Sequence, residues 1–202
     1  MLNALRMLGE DLREKARYCY KSDDARAVLK VMATDGTPSM VLYRLMQGSR
    51  ESHLAPLEMV FNKLNSVLGN CVIGRGAEFG PGFVIFHSSG VLIHGKVRGG
   101  SNVHLAHEVT LDDNEAGDCP VLGSNIKIGA GAKVIGGVKV GDGARIGANA
   151  VVLRDVAPDT TFAGAPAKRT PHLAGGRAAR RFRQRVALIQ LAETRARSRK
   201  SS

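Results

Sequence analysis

Six histidines are the side chains of this sequence that could transfer protons near neutral pH: His53, His87, His94, His104, His107 and His172. An imidazole can accept the proton of an attacking hydroxyl and return it to a leaving group. His87 lies near a predicted corner of the chain, between Phe86 and two serines, and is either a general base or a hydrogen-bonded corner residue. His107 follows twenty residues later, so we expect it on the neighbouring structural repeat, where it could contact a substrate. We interpret His94 and His104 as surface or corner residues.

A six-residue repeat from Ile73 to about Val152 contains four of these histidines and must position them, whereas His53 and His172 lie outside it. Its aliphatic positions are Ile73, Phe79, Ile85, Val91, Val97, Val103 and Val109, then Leu122, Ile128, Val134, Val140, Ile146 and Val152. A short fixed period indicates a solenoid, whereas an amphipathic helix repeats every 3.6 residues. Three hexads are expected to close one triangular coil, and coils stack at about 4.8 Å. The pattern therefore predicts a parallel β-helix with an aliphatic core.

The repeat breaks once, between Val109 and Leu122, where the step is thirteen residues instead of twelve. The intervening segment 112–120 is polar, contains Gly and Pro, and lacks the aliphatic residue. We expect it to leave a corner of the coil as a loop. Such a loop on a rigid solenoid either carries function or is a tolerated insertion.

The sequence divides into three predicted parts. Residues 1–70 are predicted to form an α-helical domain, with helices at 25–32, 39–46 and 57–67. Ser22-Asp23-Asp24 is the predicted N-cap of the helix at 25–32, and residues 35–38 are the turn after it. The apolar stripe of the first helix is Leu5, Leu8, Leu12 and Ala16. This domain is expected to cover the open end of the coils, whose strand edges invite pairing, or to hold subunits together. Residues 71–170 are predicted to form the β-helix domain, and residues 171–202 a basic and helical C-terminal tail.

The net charge of +11 belongs almost entirely to the tail. From Lys168 to Ser202 there are eleven Lys and Arg and one acid, so 11 − 1 = +10. A basic amphipathic tail can bind an anionic partner, a membrane surface or, non-specifically, nucleic acid. Alternatively it docks on the coils with solvated arginines.

Targeting and redox signals are absent from the sequence. No apolar run is long enough to span a membrane, and the N-terminus lacks the apolar region of a signal peptide, so we expect a cytoplasmic protein. Cys19, Cys71 and Cys119 fit neither a disulfide framework nor a zinc-site spacing. We therefore expect no bound metal.

Several stretches resemble the hexapeptide acyltransferases, and most closely the serine O-acetyltransferases. They are Phe86-His-Ser-Ser-Gly90, Val109-Thr-Leu111, Ile128-Gly-Ala-Gly-Ala-Lys133, Ile146-Gly-Ala148, Val151-Val152 and Ala163-Gly-Ala-Pro-Ala167, with a weaker likeness from Pro38 to Arg44. The resemblance implies a left-handed parallel β-helix and transfer of an acetyl group from acetyl-CoA to a hydroxyl of a small acceptor. It also implies that His87 is the catalytic base.

The same resemblance implies the cofactor groove and the assembly. Pantetheine would lie between neighbouring subunits, with backbone groups of Ala130 and Ala148 contacting it. Lys168 and Arg169 could meet the CoA phosphates. A homotrimer is the default assembly, or a dimer of trimers, since flat prism walls pack around a threefold axis.

Three departures from the family concern the acceptor and the base. Val72 stands where the family has the acid that orients its catalytic His, and Phe86 stands where it has an acid that binds the acceptor. Asp118 and Cys119 replace an Arg-His pair of the loop. With His107 and the more loosely aligned Asp23, these two are our candidate acceptor-binding residues. The replacements predict an acceptor that differs from free serine, such as a serine-like amino acid or a derivative.

Three other functions fit the same repeat. One is O-acetylation of a sugar or polysaccharide. Another is a metal enzyme similar to the γ-carbonic anhydrases, with a site across a subunit interface to which His87, His104 and His107 could contribute. The third is a non-catalytic scaffold that binds partners through its tail.

Overall fold

The computed structural model describes residues 1–170, so the predicted tail at 171–202 lies outside the described residues. Four helices come first: α1 (Leu2–Tyr20), α2 (Ala25–Met32), α3 (Thr37–Glu51) and α4 (Ala55–Leu68). The strands that follow are β1 (Cys71–Ile73), β2 (Glu78–Phe79), β3 (Val84–Ile85), β4 (Val91–Ile93), β5 (Arg98–Gly99), β6 (His104–Leu105), β7 (Thr110–Asp112), β8 (Val121–Leu122), β9 (Lys127–Ile128), β10 (Lys133–Ile135), β11 (Lys139–Val140), β12 (Arg145–Ile146), β13 (Val151–Val152), β14 (Thr161–Ala163) and β15 (Lys168–Thr170).

Local sequence signals set the boundaries of the central helices. The side chain of Asp24 accepts a hydrogen bond from the backbone N–H of Ala27 and caps α2, which spans the predicted residues. Helix α3 begins at Thr37, two residues before the predicted start, because Pro38 is tolerated in the first turn of a helix. The connection between them, residues 33–36, is only one short turn.

The strands form three walls of a triangular prism, and each wall is a parallel sheet along the stack. Their orders are β1-β4-β7-β10-β13, β2-β5-β8-β11 and β3-β6-β9-β12-β14, with β15 added antiparallel to β14. This is the left-handed β-helix that the repeat and the resemblance predicted, with about five turns.

The core is a set of aliphatic ladders that run along the stack. The buried, paired positions are Ile73, Ile93, Leu111, Val134 and Val152 in the first wall, and Ile85, Leu105, Ile128, Ile146 and Phe162 in the third. Parallel stacking of like side chains fills the prism, so each coil is stabilised mainly by its neighbours.

The coils are less regular than the sequence count predicted. Val84 pairs with His104, a step of 20, and His104 pairs with Lys127, a step of 23, before the 18-residue step to Arg145. Relative to the regular step, the corner after β3 therefore holds two extra residues. The loop between β7 and β8 holds five extra residues, whereas the sequence count gave one.

The count missed the extra pair because each coil wall has two inward columns two residues apart, and here both are apolar. Val91 pairs with Cys71, and Ile93 pairs with Ile73, and all four are buried. The six-residue count therefore starts in the column of Ile73 and continues, from Val91, in the column of Cys71.

The buried face of α1 matches the predicted stripe only in part. Ala16 is buried and Leu12 packs against its cluster, but Leu5 is 47% exposed, and the other buried residues are Ala4, Asp11 and Lys15. Asp11 can be buried because Arg44 of α3 donates from Nε to its Oδ2 at 2.7 Å. The same guanidinium donates to the carbonyl of Phe79, so the charge pair ties both helices to the first coil.

Within residues 1–170, no helix combines the length and the apolar character needed to cross a membrane. Three thiols are free in this part of the chain, those of exposed Cys19, buried Cys71 and partly exposed Cys119. Burial raises the pKa of the Cys71 thiol to about 12.

Candidate active site

His87 projects from the corner that holds the two extra residues. The corner follows β3 and spans residues 86–90, and the imidazole is 62% exposed. The extra chain length lets His87 stand out from the wall, while the neighbouring Ser88 is buried beneath it. An exposed ring at this corner is accessible to a substrate.

A carboxylate contacts His87, and it comes from the helical part of the chain. Oδ2 of Asp35 lies 3.0 Å from Nδ1 of His87. Partial burial alone would raise the pKa of the Asp35 carboxyl, but hydrogen bonds from His87 and from the N–H of Gly36 outweigh it and hold the pKa below its usual range. An ionised Asp35 accepts the Nδ1 proton of a neutral imidazole, which leaves Nε2 as the acceptor.

The role of Asp35 is not visible in the sequence. A turn is predicted at residues 35–38, but no local pattern places it beside a residue 52 positions later. Val72, the position at which the family would supply an acid, lies on β1 and is 47% exposed. Here the acid comes from the turn between α2 and α3 instead.

A glycine allows this turn to lie against the first coil. Gly36 has a φ of 75°, and a Cβ at this position would lie 2.3 Å from the carbonyl oxygen of Ile85. A side chain at residue 36 would thus clash with the end of β3. The close approach of backbone to backbone brings Asp35 within reach of His87.

His107 lies beside His87 on the next coil, as the sequence predicted. The two ring centroids are 6.1 Å apart, with an interplanar angle of 73°. Strand pairing places Ala130 and Ala148 at the equivalent corner positions of the following coils. The N–H of Gly131 donates to the carbonyl of His107, and the N–H of Asn149 donates to that of Ala130. These four side chains, His87, His107, Ala130 and Ala148, therefore form one line along the prism edge, which we call the histidine edge.

The alanines leave backbone donors open along the histidine edge. Within the described residues, the N–H groups of Ala130 and Ala148 have no hydrogen-bond partner. The coils also stack closely here, since a Cβ added to Gly129 would lie 2.6 Å from the nitrogen of Ala148. Small side chains and open N–H groups suit an extended amide-containing ligand.

Phe86 and His104 face away from this edge, under α1. The ring of Phe86 lies 4.4 Å from that of Tyr18, and Tyr18 lies 5.7 Å from His104. His104 is buried, which corrects the expectation of a surface or corner residue, and Nε2 is 3.2 Å from Oε1 of Glu14. Burial lowers the pKa of His104, opposed by Glu14, so the ring is held neutral beneath the helix.

His104 therefore does not share a cluster with His87 and His107. Among residues 1–170, no group of three His, Cys, Asp or Glu side chains is arranged to hold a metal ion. The metal-enzyme hypothesis has no ligand set in this part of the chain.

The remaining candidate residues lie elsewhere on the chain. Asp23 contacts Arg17 at 3.5 Å in the connection between α1 and α2. Asp118 and Cys119 lie in the loop between β7 and β8, a different corner of the prism, where the Cys119 sulfur is 3.0 Å from Nδ1 of His94. Lys168 and Arg169 lie on β15, at the far end of the third wall from β3.

The loop corner borders a cleft of about 430 Å³, lined by Asn114, Asp118, Ile135, Gly136, Gly137, Val138, Leu153, Arg154 and Asp155. Burial raises the pKa of the Cys119 thiol, and the nearby carboxylates raise it further. Cys119 is thus held as a thiol rather than a nucleophilic thiolate.

Comparison with known proteins agrees with the class of protein that the β-helix indicates. Residues 119–154 match the family of bacterial transferase hexapeptide repeats. The chain is 36% identical over 136 residues to the serine acetyltransferase of Helicobacter pylori strain J99, covering 66% of this chain and 80% of that protein. It is 40% identical over 96 residues to the mitochondrial serine acetyltransferase 3 of Arabidopsis thaliana, where it spans only 25% of that protein and 46% of its own length.

Solved structures of similar fold carry the same name. The soybean serine acetyltransferase complexed with serine superposes with a TM-score of 0.75 at 28% identity, covering 84% of this chain and 70% of that one. A serine acetyltransferase in complex with CoA also gives a TM-score of 0.75 and the same coverages. Its identity is 24%, so this likeness concerns the fold alone.

The prism, its repeat and the single edge that carries His87 define a hexapeptide-repeat acyltransferase. Since it covers four fifths of a relative at 36% identity, the chain belongs to the serine acetyltransferase family.

Proposed function

We propose that this protein transfers an acetyl group from acetyl-CoA to the hydroxyl of a small, serine-like acceptor, with His87 as the general base. The single observation that carries the proposal is the contact between Nδ1 of His87 and Asp35, at 3.0 Å. It leaves Nε2 free to accept a proton at an exposed corner. Family membership supplies the acyl donor and the acceptor class.

In the proposed reaction, Nε2 of His87 removes the hydroxyl proton as the acceptor oxygen attacks the thioester carbonyl. The negative charge that forms on the carbonyl oxygen needs a hydrogen-bond donor. An open N–H on the histidine edge, that of Ala130 or Ala148, is our candidate. The carbon–sulfur bond then breaks, and the imidazolium returns its proton to the departing sulfur. The products are the O-acetyl ester and free CoA.

We further propose that acetyl-CoA lies along the histidine edge. Strand pairing puts Ala148 three coils from His87, or about 14 Å at the spacing of stacked strands. An extended pantetheine arm can follow such a line of backbone amides. Lys168 and Arg169, beyond it on β15, are candidates for contacts with the CoA phosphates.

The separation of the candidate residues supports a homotrimer with shared sites, or a dimer of two such trimers. Within one chain, His87 and the loop that carries Asp118 and Cys119 lie at different corners of the prism. We propose that the loop of one subunit completes the acceptor site of the next, with His107 and Asp23 as further candidates for acceptor contacts. Closed threefold symmetry would repeat this arrangement at every interface. Light scattering on the purified protein gives the subunit number.

The acceptor should differ in detail from free serine. Phe86 is packed on Tyr18, so the residue before His87 offers the acceptor no charge. The loop offers Asp118 rather than a cation to an acceptor carboxylate. We propose serine-like compounds with a masked or missing carboxylate as the preferred acceptors.

The direct test is release of free thiol from acetyl-CoA with a panel of acceptors: serine, homoserine, serine amides and small sugars. His87→Ala should lower kcat by at least about a hundredfold, the usual contribution of a positioned acid–base group. His53→Asn changes an exposed histidine outside the coils and serves as the control. Activity of His87→Ala within tenfold of the wild type would refute the mechanism, and thiol release with sugars alone would reassign the acceptor.

A further inference from the structure

A fully buried lysine contacts the backbone of Asp35, the residue whose carboxylate contacts His87. Lys15 of α1 is 1% exposed. Its Nζ donates to Oγ1 of Thr37 at 3.0 Å and to the backbone carbonyl of Asp35. Both acceptors belong to the turn between α2 and α3, and no further hydrogen bond of this ammonium is present within residues 1–170.

This arrangement is costly for the fold. Burial lowers the pKa of the Lys15 ammonium to about 8, and the nearby Cys19 and Asp35 side chains oppose the shift only in part. An apolar residue of similar length at position 15 would avoid the desolvation. A contribution to stability alone therefore does not explain why a lysine occupies this position.

The turn has its own hydrogen bonds, and Lys15 adds the contact that fixes the carboxylate residue itself. Oγ1 of Thr37 donates to the carbonyl of Val31 at 2.8 Å, which closes the turn. Oδ1 of Asp35 accepts from the N–H of Gly36 at 2.7 Å. The backbone carbonyl of Asp35 is held by Lys15, so the orientation of this residue depends on α1 as well as on its own turn.

We infer that Lys15 is a positioning residue for the candidate active site, holding Asp35 so that its carboxylate stays on Nδ1 of His87. The inference rests on the proposed function for its kinetic consequences but not for its structural ones. Without the ammonium, the partly buried Asp35 carbonyl loses its hydrogen-bond donor, and a shift of the turn towards solvent would satisfy it. The carboxylate would then leave Nδ1 for part of the time, and Nε2 would carry the proton in that fraction of molecules.

A double-mutant cycle separates this role from a general contribution to folding. Lys15→Met removes the ammonium and keeps the length of the side chain, and Lys15→Gln is too short to reach both acceptors. We expect either variant to lower kcat about tenfold with the KM for acetyl-CoA unchanged. In an Asp35→Asn background, the same change should cost less than twofold, since residues that act through one contact are not additive.

Arg13→Met is the matched control, because it removes an exposed cation from the same helix. Its kcat should stay within twofold of the wild type. A kcat for Lys15→Met within twofold of the wild type would overturn the inference. So would a further tenfold loss in the Asp35→Asn background, which would mean that Lys15 acts independently of Asp35.

A readout that needs no activity distinguishes failure of this inference from failure of the proposed function. Nitrogen NMR of ¹⁵N-histidine-labelled protein reports which ring nitrogen carries the proton, and the His87→Gln variant assigns the signal. The wild type should show the proton on Nδ1 of His87. Lys15→Met should shift the population towards the Nε2-protonated form. An unchanged tautomer in Lys15→Met would overturn the inference even if the enzyme proved inactive on every acceptor.

Discussion

The helical part and the coils of this protein bury different kinds of side chain, and the candidate active site lies where the two meet. The coils bury ladders of Ile, Val and Leu, with each rung repeating the one before it. The helices bury Asp11, Lys15 and Arg44, each satisfied by a particular partner. The coils therefore supply a straight, rigid edge, and the turn between α2 and α3 supplies one charge, that of Asp35, at its first corner.

The comparison explains how a repetitive fold acquires a single reactive corner. Every coil has an equivalent corner after the third wall, and most of these carry a small residue such as Ala130 or Ala148. Among residues 1–170, only the first of these corners receives a carboxylate from the helical part, because the turn between α2 and α3 packs on the first coil, with Gly36 against Ile85. The two extra residues after β3 make room for that contact.

The largest effect is expected from breaking the buried charge pair. Arg44→Met should lower the free energy of unfolding by about 3–5 kcal/mol, because it leaves the Asp11 carboxylate buried without its partner. Both side chains are almost fully buried, at 1% and 0% exposure. Urea unfolding at a fixed protein concentration measures the change.

Replacing both members of the pair is the control for that prediction. Asp11→Leu combined with Arg44→Met should cost less than Arg44→Met alone, since no charge is left unpaired. If the double variant proved the less stable of the two, the charges would be stabilising in their own right. The contrast between helices and coils would then be weaker than we infer.

A cavity in the coils should cost somewhat less and act locally. Leu111 is fully buried between Ile93 and Val134 in the first wall. Leu111→Ala should lower the free energy of unfolding by about 2–5 kcal/mol, by lost transfer free energy and the cavity left behind. Leu153→Ala, at a side chain that is 59% exposed, is the matched control and should change stability by less than about 1 kcal/mol.

The two regions also differ in what the sequence could predict. The aliphatic period predicted the prism, its buried columns and the pairing of His87 with His107 on neighbouring coils, because a solenoid converts spacing in sequence directly into spacing in space. The count failed at the corner after β3, where two apolar columns concealed the extra residues. It also failed at the loop between β7 and β8, so only the observed strand pairing, with its steps of 20, 23 and 18 residues, places Ala130 and Ala148 on the same edge as His87.

The helical part could be predicted only locally. The cap at Asp24 follows from a short-range signal, and the structure has it, whereas the turn predicted at residues 35–38 lies at 33–36. The contacts of Lys15 with Asp35 and of Arg44 with Asp11 join residues 20 and 33 positions apart, through packing that no short pattern encodes. From sequence, a charged residue on α1 is expected to be exposed to solvent unless its partner is known. The role of Asp35 and its contact with Lys15 were therefore found only in the structure.

The smallest effect is expected from Asp35→Asn. This variant tests the contact between the helical part and the coils. The amide keeps the shape of the side chain but removes the charge and allows either end to face Nδ1 of His87. We expect kcat to fall about tenfold with the KM for acetyl-CoA unchanged, because the base is misoriented in part of the molecules. Asp142→Asn is the matched control, since Asp142 also accepts a backbone hydrogen bond but at another corner.

The pH dependence of stability gives Asp35→Asn a second readout. The folded-state pKa of Asp35 lies below its ordinary value of 3.8, so its ionised form adds stability above that value and loses it as the pH falls through the folded pKa. The wild type should therefore be the more stable protein at pH 6, by a small margin because Asp35 is 57% exposed. The difference in stability between the two proteins should begin to shrink as the pH falls below about 3.8 and should vanish once the pH is below the folded-state pKa. A difference that persists unchanged into that acidic range would mean that the contact with His87 does not depend on the carboxylate charge, and that the helices contribute shape rather than charge to this corner.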